Sequence, residues 1–351
     1  MRYILVLVCM KYFERRTTNY KTMKKALMAV LGATITLTAC NNSSDKNSKP
    51  IEQVDYASVD IPDFVADSAY RYVAEQLAFG SRVPGTKEHK QCAQYLTSKM
   101  QQWADTVYVQ DFNTVLWDGK TVKGTNIIAS FDSDNTNRVL LAAHWDSRAY
   151  ADHDPNPDNH KKPILGANDG ASGVGVLMEM ARNMKVKRPE VGVDIIFFDV
   201  EDQGIPEFEN SYKDNTWCLG SQYWAATPHV MFYRAKYGIL LDMVGNANPR
   251  YTKEEVSRTF APGLMNRVWD VANELGYASA FVNENTPAIL DDHLYVNQIA
   301  AIPMVDIVQN QMGVSFFEHW HTMNDNMDVI DKQALEQVAH VVLTVVYSEK
   351  K

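Results

Sequence analysis

Three strongly apolar runs, with helical stretches between and after them, constrain the fold of this chain more than any other feature. The runs span residues 139–143, 193–200 and 239–244. Apolar residues recur at helical spacing over 172–184, between the first two runs, and over 262–275, after the third. Strands that are apolar along their whole length are buried on both faces, and their alternation with helices is typical of parallel sheets. The sequence therefore predicts an α/β fold with a largely parallel sheet that is covered on both faces by helices.

Weaker patterns extend this prediction toward both ends of the chain. We expect helices over 64–78, 88–103 and 332–347, outer strands at 107–112 and 126–130, and a further strand at 302–308. No break in composition follows Pro50. We therefore assign residues 56–351 to a single catalytic α/β domain.

The segment 1–39 is predicted to be a signal region that is removed. From Met23, two lysines precede a short apolar core and then small residues, which is the layout of a secretory signal and too short for an ordinary membrane helix. Residues 37–40, Leu-Thr-Ala-Cys, resemble the lipobox of bacterial lipoproteins, which implies cleavage before Cys40 and lipidation of its thiol. Residues 40–55 then form a lipidated cysteine and a flexible tether. An uncleaved signal anchor is the alternative.

The signal region and the lipobox-like residues predict the location of the protein in the cell. We expect an exported bacterial lipoprotein on the periplasmic side of the inner or outer membrane, held there by the lipid on Cys40. The whole chain has a formal net charge of -9, and the segment 1–39 carries seven Lys or Arg but only one Glu, so the remainder is more strongly acidic than the whole. Such a balance repels phosphate backbones, so we expect no nucleic-acid partner.

Two cysteines, Cys92 and Cys218, lie in the predicted domain. We favour free thiols, although a disulfide stays open because sequence alone cannot show that two distant cysteines meet. Neither has the CxxC spacing that is typical of a zinc or redox site.

Acidic residues and a histidine collect where the three apolar runs end. His144 and Asp146 follow the first run, Glu201 and Asp202 follow the second, and Asp242 lies late in the third. Open α/β sheets place their sites at the carboxyl ends of strands. A charged group there is costly to bury unless it is paired or ligated. The pattern therefore predicts a metal site at this edge of the sheet.

Asp169 and His321 can complete such a site. Asp169 precedes a predicted helix in a glycine-rich turn, and His321 lies near the end of the chain. Two carboxylates, one imidazole and an open fourth position are the usual composition of a catalytic zinc site, which Asp169, Asp202 and His321 satisfy. Glu201, next to a ligand, would be free to transfer protons, with a pKa raised by neighbouring acids.

Six segments together resemble the glutaminyl-peptide cyclotransferases. They are HWDSR at 144–148, PILGANDGASGVGV at 163–176, FFDVED at 197–202, LDMVG at 241–245, DDH at 291–293 and WHTMNDN at 320–326. The resemblance runs from about residue 65 to residue 347, with all segments in the family's order. These enzymes share their fold with zinc aminopeptidases, so the resemblance implies a mixed, mainly parallel central sheet flanked by helices on both faces.

The resemblance also implies roles for individual residues. Asp169, Asp202 and His321 would hold one zinc per chain, and Glu201 would be the general acid and base. The other expected site residues are Asp242 and Asp291, as an acid network around the reacting nitrogens; Trp320 and Phe316, as substrate-binding residues; and His144 and Asp146, as hydrogen-bonding groups beside the metal, with Asp146 orienting His144. For Phe316, plain packing is an equal alternative.

Two positions depart from the family's pattern. Asp202 is shorter than the Glu that is usual in animal forms, a change that would affect the zinc geometry. Asp306 replaces a histidine expected in the strand that follows Pro303.

The implied activity is conversion of the N-terminal glutamine of peptides or proteins to pyroglutamate, with release of ammonia. The expected partners are these substrates and the membrane, and we expect a monomer. The alternative is a di-zinc aminopeptidase, in which one metal is held by His144, Asp169 and Asp242 and the other by Asp169, Asp202 and His321. All five of these residues are present, so counting ligands leaves this alternative open.

Two neighbouring residues favour the cyclotransferase. Asp291 lies at a position where aminopeptidases tend to carry Ser, and Trp320 directly precedes the predicted zinc histidine. A binding lipoprotein without catalysis is a third hypothesis, and the intact Glu201 argues against it.

One acidic loop carries Asp152, Asp154 and Asp158 together with prolines. Its spacing fits no calcium motif. We therefore interpret it as a solvated loop.

Overall fold

The computed structural model describes residues 54–310 and 316–350, which belong to one compact unit, Val54–Lys351. The strands in this part of the chain are β1 (Thr106–Val115), β2 (Thr121–Phe131), β3 (Arg138–His144), β4 (Gly192–Phe198), β5 (Gly238–Asp242), β6 (Tyr251–Glu254), β7 (Phe281–Thr286) and β8 (Met304–Val308). The α-helices are α1 (Ala66–Leu77), α2 (Lys87–Trp103), α3 (Ala171–Val186), α4 (Leu219–Ala226), α5 (Glu255–Phe260), α6 (Pro262–Glu274), α7 (Asp292–Tyr295) and α8 (Lys332–Tyr347). Short 3-10 turns at Tyr56–Ser58, Pro157–Asn159 and Met327–Val329 and a π-helical segment at Val296–Ala300 complete these elements.

A six-stranded sheet organises the unit, with strand order β1-β2-β4-β3-β5-β8. Strands β4, β3, β5 and β8 pair in parallel, whereas β1 and β2 join the β4 side as antiparallel strands. The predicted fold class, a mixed and mainly parallel sheet between helices, is therefore confirmed.

The three apolar runs form β3, β4 and β5, and every residue in these strands is buried. Alternate side chains of a strand point to opposite faces. Leu141 and Ile195 accordingly lie in the core shared with α1, α2, α3, α6 and α8, whereas Ala142 and Ile196 lie in a second core with Trp224 of α4. Burial on both faces explains why these strands show no alternation of polar and apolar residues.

Local signals set the ends of the flanking helices. The Thr86 hydroxyl accepts a hydrogen bond from the His89 amide at the start of α2, and the Asp331 carboxylate accepts one from the Ala334 amide at the start of α8. Such caps satisfy amides that have no partner within the helix. The predicted helices at 88–103 and 332–347 match α2 and α8 to within one residue.

Some elements lie beyond the sequence prediction. Helices α4, α5 and α7 and the small parallel sheet of β6 and β7 were not expected. Cys92 and Cys218 are both buried and free, so the prediction of unpaired thiols is confirmed. The predicted signal region and Cys40 lie outside the described residues. Within the described ranges, no helix combines the length and apolar character needed to cross a membrane.

Candidate active site

The register of the parallel strands brings the predicted site residues to one edge of the sheet. His144 ends β3 opposite Phe198, the last residue of β4, so the turn with Glu201 and Asp202 begins beside it. Asp242 ends β5, the other neighbour of β3. These residues therefore converge at the carboxyl ends of adjacent strands, as expected for an open α/β sheet.

Asp169 lies at the centre of this edge and contacts two histidines. Its Oδ1 lies 3.0 Å from Nε2 of His144, and its Oδ2 lies 3.5 Å from Nε2 of His321. Nε2 of His144 is also 3.1 Å from Oδ1 of Asp242, and Nε2 of His321 is 3.1 Å from Oδ1 of Asp202. Two sets of possible metal ligands result, which share Asp169.

We name these sets by their histidines. The His321 set is Asp169, Asp202 and His321, and the His144 set is His144, Asp169 and Asp242. In each set, one possible ligand atom per residue lies within 4.8 Å of the other two. All five residues are buried, and buried carboxylates at such distances need a counter-charge. Oxygen and nitrogen donors in this combination suit zinc.

The backbone around these residues is tightly constrained. A side chain at Gly170 would lie 2.5 Å from the His144 ring, so only glycine allows the turn before α3 to approach β3 this closely. His321 has a φ of 54°, and Val200 and Met243, which flank Glu201 and Asp242, have φ values of 56° and 49°. Left-handed backbone at nonglycine residues is costly, and such residues often cluster at active sites.

Asp146 holds the turn that carries Glu201 and Asp202. Its Oδ1 accepts a hydrogen bond from the Glu201 amide over 3.0 Å, and its Oδ2 accepts bonds from the Asp202 amide over 3.2 Å and from Gln203 Nε2 over 3.1 Å. The distance from Asp146 to Nδ1 of His144 is 3.6 Å, and this nitrogen has no hydrogen-bond partner among the residues described. The hydrogen bonds of Asp146 thus support the backbone of the turn, and its carboxylate also lies beside the ring of His144.

Glu201 is a buried carboxyl group close to other acids. Burial raises its pKa well above the usual range, and the nearby Asp202 and Asp291 act in the same direction. Its carboxylate, the thiol of Cys218 and the carboxylate of Asp291 lie within 4.8 Å of one another. The Cys218 thiol donates a hydrogen bond to Oε1 of Glu201 over 3.2 Å. A carboxyl group with a raised pKa can both accept and return a proton near neutral pH.

The predicted acid network extends behind Asp242 and Asp291. Burial, together with the nearby Asp291 and Asp169, raises the pKa of Asp242 to about 7, and burial alone raises the pKa of Asp291 above its ordinary value. Asp306, which stands where the family pattern has histidine, is buried on β8, and burial next to Asp291 raises its pKa well above the usual range. It can therefore stay protonated beside Asp291.

Aromatic side chains surround His321. The Trp320 ring stacks on the His321 ring with centroids 3.8 Å apart, and Phe316 packs edge-on against Trp320 at 4.8 Å. Trp217 is nearly parallel to the His321 ring at 6.2 Å. The structure therefore brings both predicted substrate-binding residues, together with Trp217, to the candidate site.

The interpretation of the acidic loop as solvated is wrong for two of its three acids. Asp152 and Asp154 are buried, and only Asp158 is exposed. Asp152 pairs with the buried Arg148 at 2.7 Å and lies 3.3 Å from Nδ1 of His321. The error arose because loop spacing does not reveal which distant residues a loop meets in the folded chain.

Comparison with known proteins identifies the family of the chain. The profile of Peptidase family M28 matches residues 126–346, well over half of the chain, and the match includes every ligand of both sets. A solved Zn-dependent exopeptidase from Parabacteroides distasonis is 49% identical with a TM-score of 0.82, and the match covers 83% of this chain and 100% of that chain. A glutaminyl cyclase from Bacteroides thetaiotaomicron, solved with N-acetylhistamine bound, is 48% identical with a TM-score of 0.81 and the same coverage.

A curated relative is more distant. Glutaminyl-peptide cyclotransferase from Bothrops jararaca is 22% identical over 244 residues, which are 62% of this chain and 63% of that protein. The matched region thus spans just under two thirds of that relative. Since one solved relative is an exopeptidase and the other a cyclase, the choice between the two reactions depends on the site itself.

Proposed function

The chain belongs to peptidase family M28, and we propose that within this family it is a zinc-dependent glutaminyl-peptide cyclotransferase. Such an enzyme converts the N-terminal glutamine of a peptide or protein to pyroglutamate and releases ammonia. The proposal is supported by the 48% identity to a solved bacterial glutaminyl cyclase over 83% of this chain. The observation within the site that carries it is the position of the Asp291 carboxylate beside that of Glu201.

The second nitrogen of each histidine faces a carboxylate. Nδ1 of His321 lies 3.3 Å from Oδ1 of Asp152, and Nδ1 of His144 lies 3.6 Å from Oδ1 of Asp146. Histidines that bind metals nearly always donate their other N–H to a carboxylate, a carbonyl or water. Both rings therefore have a similar neighbour, and we assign the single zinc to the His321 set because ring closure uses no attacking water and needs only one metal.

The His321 set also fits zinc by its chemistry. It offers two carboxylates and one imidazole, and the buried Oδ2 of Asp202 has no hydrogen-bond partner in the described part of the chain. When bound there, zinc supplies Lewis acidity toward the γ-carbonyl oxygen of the substrate glutamine. His144, Asp242 and Asp291 then remain as hydrogen-bonding groups beside the substrate.

Glu201 moves the proton in the proposed reaction. The α-amine nitrogen of the substrate forms a bond to the γ-carbonyl carbon, and the bond from that carbon to the side-chain amide nitrogen breaks. Glu201 accepts the proton that the amine loses and returns it to the departing nitrogen, which leaves as ammonia. The raised pKa of this buried carboxyl group suits both steps.

Neighbouring side chains hold the substrate for this transfer. Asp291, whose carboxylate lies within 4.8 Å of that of Glu201, is placed to accept a hydrogen bond from the substrate amine. Trp320 and Phe316 form an aromatic wall beside His321. Exclusion of water by this wall would favour ring closure over hydrolysis.

A di-zinc aminopeptidase is the second candidate function. The His144 set supports it, because its three possible ligand atoms also lie within 4.8 Å of one another. This reaction would use a water molecule and release the first residue of the substrate, so the two candidates differ in both product and preferred substrate.

Two peptides that differ only in their first residue separate the candidates. A peptide that begins with glutamine should release ammonia and gain a pyroglutamyl end, whereas the matching peptide that begins with leucine should stay intact. The same glutamine peptide with an acetylated amine is the control, since its α-nitrogen is an amide and no longer a nucleophile, so it should release no ammonia. Release of free leucine from the second peptide, with no ammonia from the first, would overturn the proposal in favour of the aminopeptidase.

We further propose that the mature protein begins at Cys40 and works as a monomer anchored to a bacterial membrane on its periplasmic side. The lipobox-like residues 37–40 support this proposal. The residues concerned lie outside those that the structure describes. In cells fed a labelled fatty acid, the wild-type chain should carry the label and Cys40→Ala should not; equal labelling would refute the anchor.

A further inference from the structure

Arg148 and Asp152, four residues apart in a loop, form a buried ion pair. No step of the proposed reaction uses this pair. Nε and Nη2 of Arg148 donate to Oδ1 and Oδ2 of Asp152 over 2.8 and 2.7 Å, a two-bond fork. Both side chains are about 1% exposed. A pair this deeply buried loses much of its hydration, and well-packed apolar residues would be at least as stable in its place. Its presence is therefore better explained by what else the two side chains hold.

Arg148 is tied to the turn that carries one proposed zinc ligand. Its Nη1 donates to the carbonyl oxygen of Asp202 over 3.0 Å and lies 3.6 Å from Oδ1 of the same residue. The guanidinium group also lies under the Trp217 ring, 4.5 Å from the ring centroid. Arg148 thus contacts both the backbone and the carboxylate region of Asp202.

Asp152 is tied to the other side of the same ligand set. Its Oδ1 lies 3.3 Å from Nδ1 of His321, an ion-pair contact. Its Oδ2 also accepts a hydrogen bond from the Glu207 amide over 2.9 Å. One carboxylate therefore supports the His321 ring and fixes the segment that follows Asp202.

The backbone after Asp152 strengthens this connection. The His153 amide donates to the carbonyl oxygen of His321 over 3.2 Å, and the Asp154 carboxylate accepts a hydrogen bond from the Met323 amide over 2.9 Å. His321 itself is held in left-handed backbone, with a φ of 54°. The segment 148–154 thus joins the turn after β4 to the loop before α8, which lie far apart in sequence.

We propose that Arg148 and Asp152 are positioning residues that preorganise the zinc site, with Arg148 fixing Asp202 and Asp152 fixing the ring of His321. Neither residue belongs to the His321 set, and neither touches the reacting atoms in the proposed reaction. Groups behind metal ligands tune affinity because they set the ring orientation and the basicity of the ligand. The inference rests on the proposed zinc site and is independent of which reaction that site performs.

Zinc affinity tests the proposal without measuring activity. The variant Asp152→Asn keeps the shape of the side chain and loses its charge, and Asp158→Asn makes the same change at an exposed position of the same loop. Competition with a chromophoric chelator should show zinc binding weakened roughly 10- to 100-fold in Asp152→Asn and unchanged in Asp158→Asn. The visible absorption spectrum of the Co²⁺-substituted protein should change in the first variant only, because it reports ligand geometry.

The possible results separate the positioning role of Arg148 and Asp152 from the proposed zinc-dependent function. A folded Asp152→Asn variant with wild-type zinc affinity and an unchanged cobalt spectrum would overturn the proposal. If circular dichroism shows that this variant does not fold, Arg148→Lys carries the test, since it keeps the positive charge but cannot form the two-bond fork and also reach Asp202. Wild-type affinity and an unchanged spectrum in Arg148→Lys would likewise overturn it. Failure of the wild-type chain to bind zinc would instead refute the proposed function.

Discussion

The thiol of Cys218 donates a hydrogen bond to Oε1 of Glu201 over 3.2 Å. The backbone joins the same two residues, because the Cys218 amide donates to the Glu201 carbonyl oxygen over 2.8 Å. Cys218 is buried and adopts left-handed backbone, with a φ of 56°, directly before α4. It therefore fixes one oxygen of the carboxylate to which we assign proton transfer.

Removal of this thiol should slow the reaction without weakening substrate binding. Cys218→Ala deletes one hydrogen-bond donor, which is worth about 1 kcal/mol, and about 1 kcal/mol in a barrier is roughly fivefold in rate. We expect kcat for ammonia release to fall by about that factor and KM to change little. Cys218→Ser restores a donor and should recover most of the rate.

A second buried cysteine provides the control for this prediction. Cys92 lies in α2 and takes part in the core between α2 and the sheet, so Cys92→Ala makes the same chemical change away from the site. It should leave kcat unchanged. If Cys218→Ser were as slow as Cys218→Ala, the thiol would have only a packing role.

Loss of the Glu201 carboxyl group should separate proton transfer from metal binding. Glu201→Gln keeps the size of the side chain but cannot accept the proton of the substrate amine, so kcat should fall by about 10²- to 10⁴-fold. Zinc content, measured by atomic absorption, should stay at the wild-type value because Glu201 belongs to neither ligand set. Glu209→Gln, at an exposed position of the same loop region, is the control. Wild-type rates in Glu201→Gln would remove this residue from the mechanism.

The buried strands were predictable because their sequences carry the constraint directly. β3, β4 and β5 are apolar along their length because both of their faces are covered. The proposed ligands at the ends of these strands could therefore be placed once the strands were predicted. Helices α4, α5 and α7 are much shorter than the predicted helices. Helices this short contain too few turns for their apolar spacing to be recognised from sequence.

The supporting residues of the site were missed for a different reason. Asp152 acts on His321, which lies far later in the chain, and Cys218 acts on Glu201 across a turn whose shape depends on left-handed backbone at Val200 and Cys218. No local sequence pattern predicts such contacts between side chains that are distant in sequence. Arg148 lies inside a segment that carries the family resemblance, and that was the available signal for a role at the site.

Replacement of each histidine should reveal how many metals the site holds. His321→Gln removes the imidazole that Asp152 supports, so the purified protein should lose its zinc. His144→Gln should keep about one zinc per chain, because the proposed single zinc is held by the His321 set, to which His144 does not belong. Metal content by inductively coupled plasma mass spectrometry checks both variants. Two zinc ions in the wild-type chain and one in His144→Gln would favour the aminopeptidase.

The stability of the unit should depend on the ionisation of Glu254, which lies away from the proposed ligands. This carboxylate is buried and accepts hydrogen bonds from the Val256 and Ser257 amides, and it lies 3.2 Å from Nε2 of His293. Burial opposes its charge, but the contacts with His293 and Ser257 outweigh that effect and lower its pKa below the ordinary value of 4.5. Glu254 therefore stabilises the fold in its charged form.

The sign of the pH dependence follows from this lowered pKa. The stability that Glu254 contributes is present above its unfolded pKa and is lost as the pH falls through the lower folded pKa. At pH 7, Glu254→Gln should reduce the free energy of unfolding by about 1–3 kcal/mol, the range for a hydrogen-bonded buried charge. Denaturant titrations from pH 7 to pH 3 should show this difference shrinking below about pH 4.5. Glu255→Gln, at the adjacent exposed position, should unfold with nearly the wild-type free energy at any pH. If the free energy of unfolding of Glu254→Gln stayed below the wild-type value by a constant amount down to pH 3, Glu254 would contribute packing and not charge.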